Sequence, residues 1–158
     1  MLEVHRVSGP DAWAFIAAAI GQHHRHHEAP QGWKWGYIAT KAGRIVGVAT
    51  VGRAVGRWGR PMLELTRGCT WSRARYGAAS AMLQAAARDC GHRGLVTYTL
   101  ASEPGESLRA AGWLKDGPVQ VPRLRRPGGH RSSQRRPDQG QAKQRWRPGA
   151  PAQEVDHA

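Results

Sequence analysis

The sequence predicts a mixed α/β domain, with helices covering a partly antiparallel sheet. Three observations carry this. Short alternating or β-branched runs, such as Leu95 to Leu100, are separated by stretches of helical period. A Lys41-Ala42-Gly43-Arg44 turn joins two apolar runs into a hairpin. An alanine-rich stretch from Ala74 to Cys90 stops at Gly91, as a helix does.

Taken in order, Leu2 to Val7 alternates and is a first strand. Ser8 and Asp11, with Pro10 between them, start a helix whose apolar side holds Trp13, Phe15, Ile16 and Ile20. Trp35 to Thr40 and Ile45 to Val51 are the arms of the hairpin. Gly52 to Arg60 is a loop rich in glycine and arginine. Met62 to Thr66 is a strand with Leu63 and Leu65 on one face and Glu64 on the other. The helix Ala74 to Cys90 carries Met82, Leu83 and Ala87 in register. Strand Leu95 to Leu100 follows, then a short helix Glu106 to Ala111 that stops at Gly112. A last extended segment starts at Trp113 and runs to Val121.

The chain of 158 residues fits one domain and a tail. From Pro122 onward the apolar residues are Leu124, Trp146, Val155 and a few alanines. Arg, Pro, Gly and Gln dominate there, and such a composition buries little. The expected division is a folded domain over 1–122 and a basic, largely disordered tail over 123–158. The net charge is +13, and both parts are basic. That points to a polyanionic partner or an anionic cofactor, unless a preference for Arg (20 of the 24 basic residues) explains it. Cys69 and Cys90 have no paired spacing, so neither a disulfide framework nor a cysteine zinc site is expected. The N-terminal residues match no signal or transit peptide, and no apolar run would cross a bilayer. A cytoplasmic protein without membrane contact is expected.

The order of elements resembles the GNAT acyltransferase fold. More closely, Arg25-His26-His27, Pro30-Gln31-Gly32-Trp33-Lys34-Trp35-Gly36, Ile45 to Ala49, Leu63 to Thr70, Leu95 to Leu100 and Ser107 to Trp113 together resemble a small family of GNAT-like proteins. These come from phages and mobile elements and are distant relatives of the Mom DNA-modification protein. The resemblance spans about Leu2 to Arg123 and implies an acetyl-CoA or other acyl-CoA cofactor. Its pyrophosphate would meet free N–H groups at a helix start. GNAT proteins carry an Arg/Gln-x-x-Gly-x-Gly/Ala pattern there. This chain has Arg75-x-x-Ala78-x-Ser80, small at both later positions but glycine at neither. Arg73 and Arg75 would add charge-assisted bonds; a basic helix start without a ligand is the alternative.

Many GNAT enzymes hold a tyrosine acid where this chain has Leu108. Tyr98, on the neighbouring strand, is the substitute donor to a leaving thiolate, or else an ordinary strand aromatic. Four of the eight histidines lie at 23, 24, 26 and 27. His23 with His26 or His27 has helical chelating spacing, but only Glu28 stands near, and no metal is expected. In GNAT folds this segment walls the acceptor pocket, so His24 or His27 is the candidate base, its imidazole titrating near working pH. Trp33 and Trp35 would flank it. Both would share one strand face, as core or as a stacking platform for a planar substrate. Glu64 is a second candidate base, with Arg67 beside it as a clamp for a carboxylate or phosphate, or the two form a solvated ion pair.

Three functions compete at this point. One is an acyl-CoA-dependent N-acyltransferase of phage or mobile-element type, its acceptor amine open. Another is Mom-like modification of a DNA base. The last is a basic nucleic-acid-binding module that kept the fold and lost the chemistry.

Overall fold

In the computed structural model of the chain, the described residues are 1–54, 62–72, 75–91, 94–119 and 141–150. Strand β1 (Leu2–Val7) pairs antiparallel with β2 (Trp33–Lys41), and β2 with β3 (Arg44–Arg53). Ala42 and Gly43 take φ of 49° and 71° between β2 and β3. Two successive left-handed residues match the twist of a tight hairpin. Between β1 and β2 lies helix α1 (Pro10–His23). Gly9, not Ser8, is its N-cap, and no side chain caps it. Pro10 sits where a missing N–H costs nothing.

Strand β4 (Leu63–Thr70) is longer than the sequence suggests, because Arg67 to Thr70 continue the antiparallel pairing with β3. Helix α2 (Ala78–Cys90) starts four residues later than expected, since Gly77 adopts φ 81° and takes the N-cap. Strand β5 (Leu95–Leu100), helix α3 (Glu106–Ala110) and strand β6 (Trp113–Val119) follow. Among the described residues seven strands form one sheet in the order β1-β2-β3-β4-β5-β7-β6.

The seventh strand, β7 (Lys143–Pro148), lies inside the segment expected to be a disordered tail. It inserts between β5 and β6, antiparallel to both. Trp146 is 1% exposed, and its indole N–H donates to Thr99 Oγ1 at 2.9 Å. Arg109 and Lys115 stand 5.7 and 5.6 Å from its ring centre. Gly105 has φ +67° and lies so close under the ring that a Cβ would overlap it. The sheet therefore extends past residue 122. The sequence hid this because one Trp in a run of Lys, Gln, Arg and Pro leaves little hydrophobic signal.

The sheet has two covered faces. Helices α2 and α3 pack one, where Met82, Leu83 and Leu108 meet Tyr37, Ala49, Leu65, Leu95, Trp113 and Trp146. Helix α1 packs the other through Ile16, Ala19 and Ile20 against Val48. Its close approach depends on Gly36, where a Cβ would stand 2.9 Å from Ala49 O and run into the Ile16 side chain. Behind the sheet, Trp35 Nε1 donates to the Tyr37 hydroxyl, which donates to Asp89 on α2, both at 2.9 Å. Burial, first, holds the Tyr37 phenol well above its usual range.

Trp146→Ala is expected to cost ~3–5 kcal/mol, the range for a large aromatic deleted from a core. A chain ending at residue 126 should lose more, because β6 then has no described strand neighbour. Urea unfolding followed by tryptophan fluorescence measures both, and an unchanged midpoint in either would contradict the packing of β7.

Candidate active site

Among the described residues, strands β4 and β5 are the one parallel pair in the sheet, and they stay together briefly. The register is Leu63 with Leu95 and Glu64 with Val96, and ends there. The Thr97 hydroxyl then donates to Leu65 O at 2.8 Å, the last tie before the strands part. Beyond it, among the described residues, β4 pairs only with β3, and residues 97–100 of β5 pair only with β7. A wedge therefore opens between the C-terminal halves of β4 and β5. At its edge β4 carries a bulge: Thr50 pairs with Arg67 and Val51 with Leu65, which leaves Thr66 as the extra residue. The Thr66 hydroxyl lies 2.9 Å from that of Thr50.

The register assigns the polar side chains to a face. Glu64 stands opposite Gly52 and Val96, so it shares a face with Tyr98. Arg67 pairs with Thr50, on the face that α1 covers. Tyr98 pairs directly with Arg145 of β7. Arg145 Nη2 reaches Asp116 Oδ2 and Asp116 O, each at 3.0 Å. Burial raises the pKa of Tyr98; Glu64 and Asp116 raise it further, and Arg145 opposes them. Glu64, Tyr98, Arg145 and Asp116 thus form one half-buried polar row from β4 to β6.

The start of α2 follows β4 by a short connection. No side chain caps its first turn, Ala78 to Ser80. The Ser80 hydroxyl donates to Gly77 O at 3.0 Å, so it turns back on its own helix. The Ala78 side chain is buried in the core. The backbone N–H groups of this turn, rather than the Ala78 or Ser80 side chains, are what the site offers an anion. Arg75 is exposed, its guanidinium 3.4 Å from Ser72 O. Arg73 lies outside the described residues.

The histidine run forms the turn between α1 and β2. His23 stacks on Trp71, with centroids 4.4 Å apart. His24 Nδ1 accepts the backbone N–H of His26 at 3.1 Å. Its neutral ring therefore carries the proton on Nε2 and presents a donor. Burial, then nearby Arg67, hold His24 down at about 4, where the usual value is 6.5. Both facts make His24 a poor base. His27 takes φ 51°, and its Nδ1 lies 3.0 Å from Gly21 O, closing the turn. His27 is exposed. Arg25 forms an ion pair with Glu103, after β5, which ties the turn to the far side of the wedge. Among the described residues no group of three or more His, Cys, Asp and Glu is placed to hold a metal ion.

No protein-family model and no curated protein matches the chain. Solved structures do. One is the NatC complex bound to Gag peptide and CoA, with TM-score 0.59 and 11% identity, covering 94% of this chain and 98% of that one. Another is the ribosomal-protein-alanine N-acetyltransferase of Brucella melitensis, at 0.58 and 15%, covering 92% and 98%. A third is a GNAT-family acetyltransferase from Bacillus cereus, at 0.57 and 16%, covering 93% and 96%. The chain has the GNAT fold.

Within this GNAT fold the two tryptophans expected to share a face do not. A register shift at Lys34 separates them: Trp33 pairs with Gly52 and Trp35 with Val51. Trp33 packs with α1 and stacks on Trp13 at 4.6 Å, whereas Trp35 packs on the α2 side, under Arg6. A bulge in a strand reads as nothing unusual in sequence. Leu108 fills the core between α2 and Trp113. Sequence reasoning gave Arg145 and Asp116 no part in the site; Arg145-Trp146 has a familiar look in the sequence but lay in the presumed tail, and nothing near Asp116 marks it. Cys69 and Cys90 are each pushed by burial up to about 11, which keeps both as protonated thiols.

The depressed His24 value has a stability consequence with a definite sign. On acidification the unfolded chain binds this proton first, near its ordinary value, while the folded chain resists until about pH 4. The His24 contribution is complete above about pH 6.5, drains away as pH falls towards 4, and is constant below. Melting temperatures of the wild type should therefore drop more than those of His24→Asn between pH 7 and pH 4. Parallel profiles would contradict the buried neutral ring.

Proposed function

We propose that the chain is an acyl-CoA-dependent N-acyltransferase. The observation that carries this reading is the wedge between β4 and β5, which opens beside the uncapped first turn of α2. A pantetheine arm fits such a wedge, and a pyrophosphate fits such a helix end. Coenzyme A is bound in the NatC structure of the same fold, which supports the choice of ligand. Backbone N–H groups of residues 78–80 would hold the pyrophosphate, with Arg75 and Arg73 adding charge. The acyl-CoA supplies a thioester that an amine can attack.

The polar row supplies the proton chemistry. Glu64 takes a proton from the attacking amine, directly or through a water. The new N–C bond forms, the C–S bond breaks, and the Tyr98 hydroxyl gives its proton to the leaving sulfur. His24 serves as a donor on the acceptor side, from Nε2. His27 keeps Nε2 as an acceptor, at the exposed rim. Arg67 clamps an anionic group of the acceptor or acyl donor, and Trp33 lies under α1 on the same side. Trp35 is on the opposite face and is given no part in acceptor binding.

The motif resemblance supports a protein of phage or mobile-element type. A net charge of +13 favours a second reading of the acceptor, a base amine of DNA held by arginines. Arg53, Arg57 and Arg60, with Trp58 among them, suit phosphate contacts with a stacking ring; Arg53 ends β3, and the other three lie outside the described residues. A salt titration of duplex DNA binding tests that reading: log affinity should fall steeply with log salt. No binding at low salt would leave a small-molecule or peptide amine.

Calorimetry with coenzyme A tests the main reading. Arg75→Ala is expected to weaken binding by ~1–3 kcal/mol, the value of a lost charge-assisted contact. Tyr98→Phe should leave binding unchanged and lower the rate of acyl transfer about 10²-fold or more. A protein that binds no coenzyme A would overturn the proposal.

A further inference from the structure

The acid role of Tyr98 raises a problem of charge. Once the phenol has given its proton to sulfur, an anion remains in a half-buried place with Glu64 on the neighbouring strand. Burial opposes that anion, and Glu64 adds to the opposition whenever the amine proton has gone to water and left its carboxylate charged. A cation is needed at the phenol, held so that it does not swing to solvent.

We propose that Arg145 is that cation: a positioning residue that acts through Tyr98, anchored by Asp116. The inference rests on the acyltransferase reading above. The register places Arg145 directly opposite Tyr98 across the β5–β7 ladder, on the same face. Side chains so paired have Cβ atoms about 5 Å apart. The Arg145 side chain is only 15% exposed. It is fixed twice by one residue, through the Asp116 carboxylate and the Asp116 carbonyl, each at 3.0 Å. Asp116 also faces Arg147, at 3.8 Å, so its negative charge is shared between two guanidinium groups. The charged groups that face Tyr98 are then Glu64 from β4, Arg145 from β7 and Asp116 from β6.

The step balances without a further reagent. Amine attack forms N–C as C–S breaks. The phenol O–H proton goes to sulfur and leaves tyrosinate beside the Arg145 guanidinium. The amine proton goes to Glu64 or water, and water returns a proton to Tyr98. The guanidinium keeps its charge throughout, which a lysine in a dry site would not do reliably. This assigns a task to β7: a strand that closes the sheet also delivers the counter-charge.

The test follows Tyr98 itself and needs no acceptor. Full-length protein is grown with a ring-fluorinated tyrosine, whose phenol ionises at lower pH, and ¹⁹F resonances are followed through a pH titration. Tyr98→Phe identifies the signal. In Arg145→Gln the Tyr98 midpoint is expected to rise by about one unit, and Arg145→Lys should recover part of that shift. Asp116→Asn, which loosens the anchor, should move it less. Circular dichroism confirms that each variant is folded. A midpoint that stays put in folded Arg145→Gln overturns the proposal. Coenzyme A calorimetry on the same samples separates this failure from failure of the acyltransferase reading, because Arg145 stands on β7 and the pyrophosphate is assigned to the start of α2.

Discussion

The parting of β4 from β5 governs this molecule. Two parallel register pairs and one threonine hydroxyl hold the strands together, and then each turns to an antiparallel neighbour. A sheet that divides in its middle would expose backbone groups on both sides of the split. Here β3 and β7 satisfy the outer edges. The inner edges face a gap that a ligand with amide groups can enter. The start of α2 and the polar row of β4 to β7 gain chemical meaning only because this gap exists.

Which side chains line the gap is decided by two bulges. The extra residue at Thr66 keeps Arg67 on the α1 face after Glu64. The shift at Lys34 sends Trp33 and Trp35 to opposite faces. A strand alternates with period two, so one inserted residue moves every later side chain across the sheet. The α1 side of the sheet thereby carries Glu64, Arg67 and Tyr98, with His24 near Arg67, and the α2 side carries tightly packed apolar groups with the Trp35–Tyr37–Asp89 chain of hydrogen bonds at its edge.

The sequence made the element order legible from β1 to β6, because hairpin turn, alanine-rich helix and Gly-aromatic step each have a local cause. Helix starts were less legible: Gly9 and Gly77 take the N-cap places by backbone conformation, which no capping side chain announces. The last strand was not legible. Trp146 and Pro148 are buried while Arg147 is exposed, an alternation too brief to register among so many charges. For the candidate site, residue types were readable and their environments were not. His24 has the composition of a base, yet one backbone N–H on its Nδ1 and the burial of its ring make it a donor. Tyr98 could be singled out, but Arg145, 47 positions further on, could be paired with it only by the fold.

Amide hydrogen exchange with and without coenzyme A tests the central claim most directly. Binding in the wedge should protect the amides of residues 78–80 at the start of α2 and those of Arg67 to Thr70 along β4, and leave the β1–β2 edge unchanged. Protection confined to other segments, or none at saturating coenzyme A, would contradict the claim that the split between β4 and β5 is the ligand site.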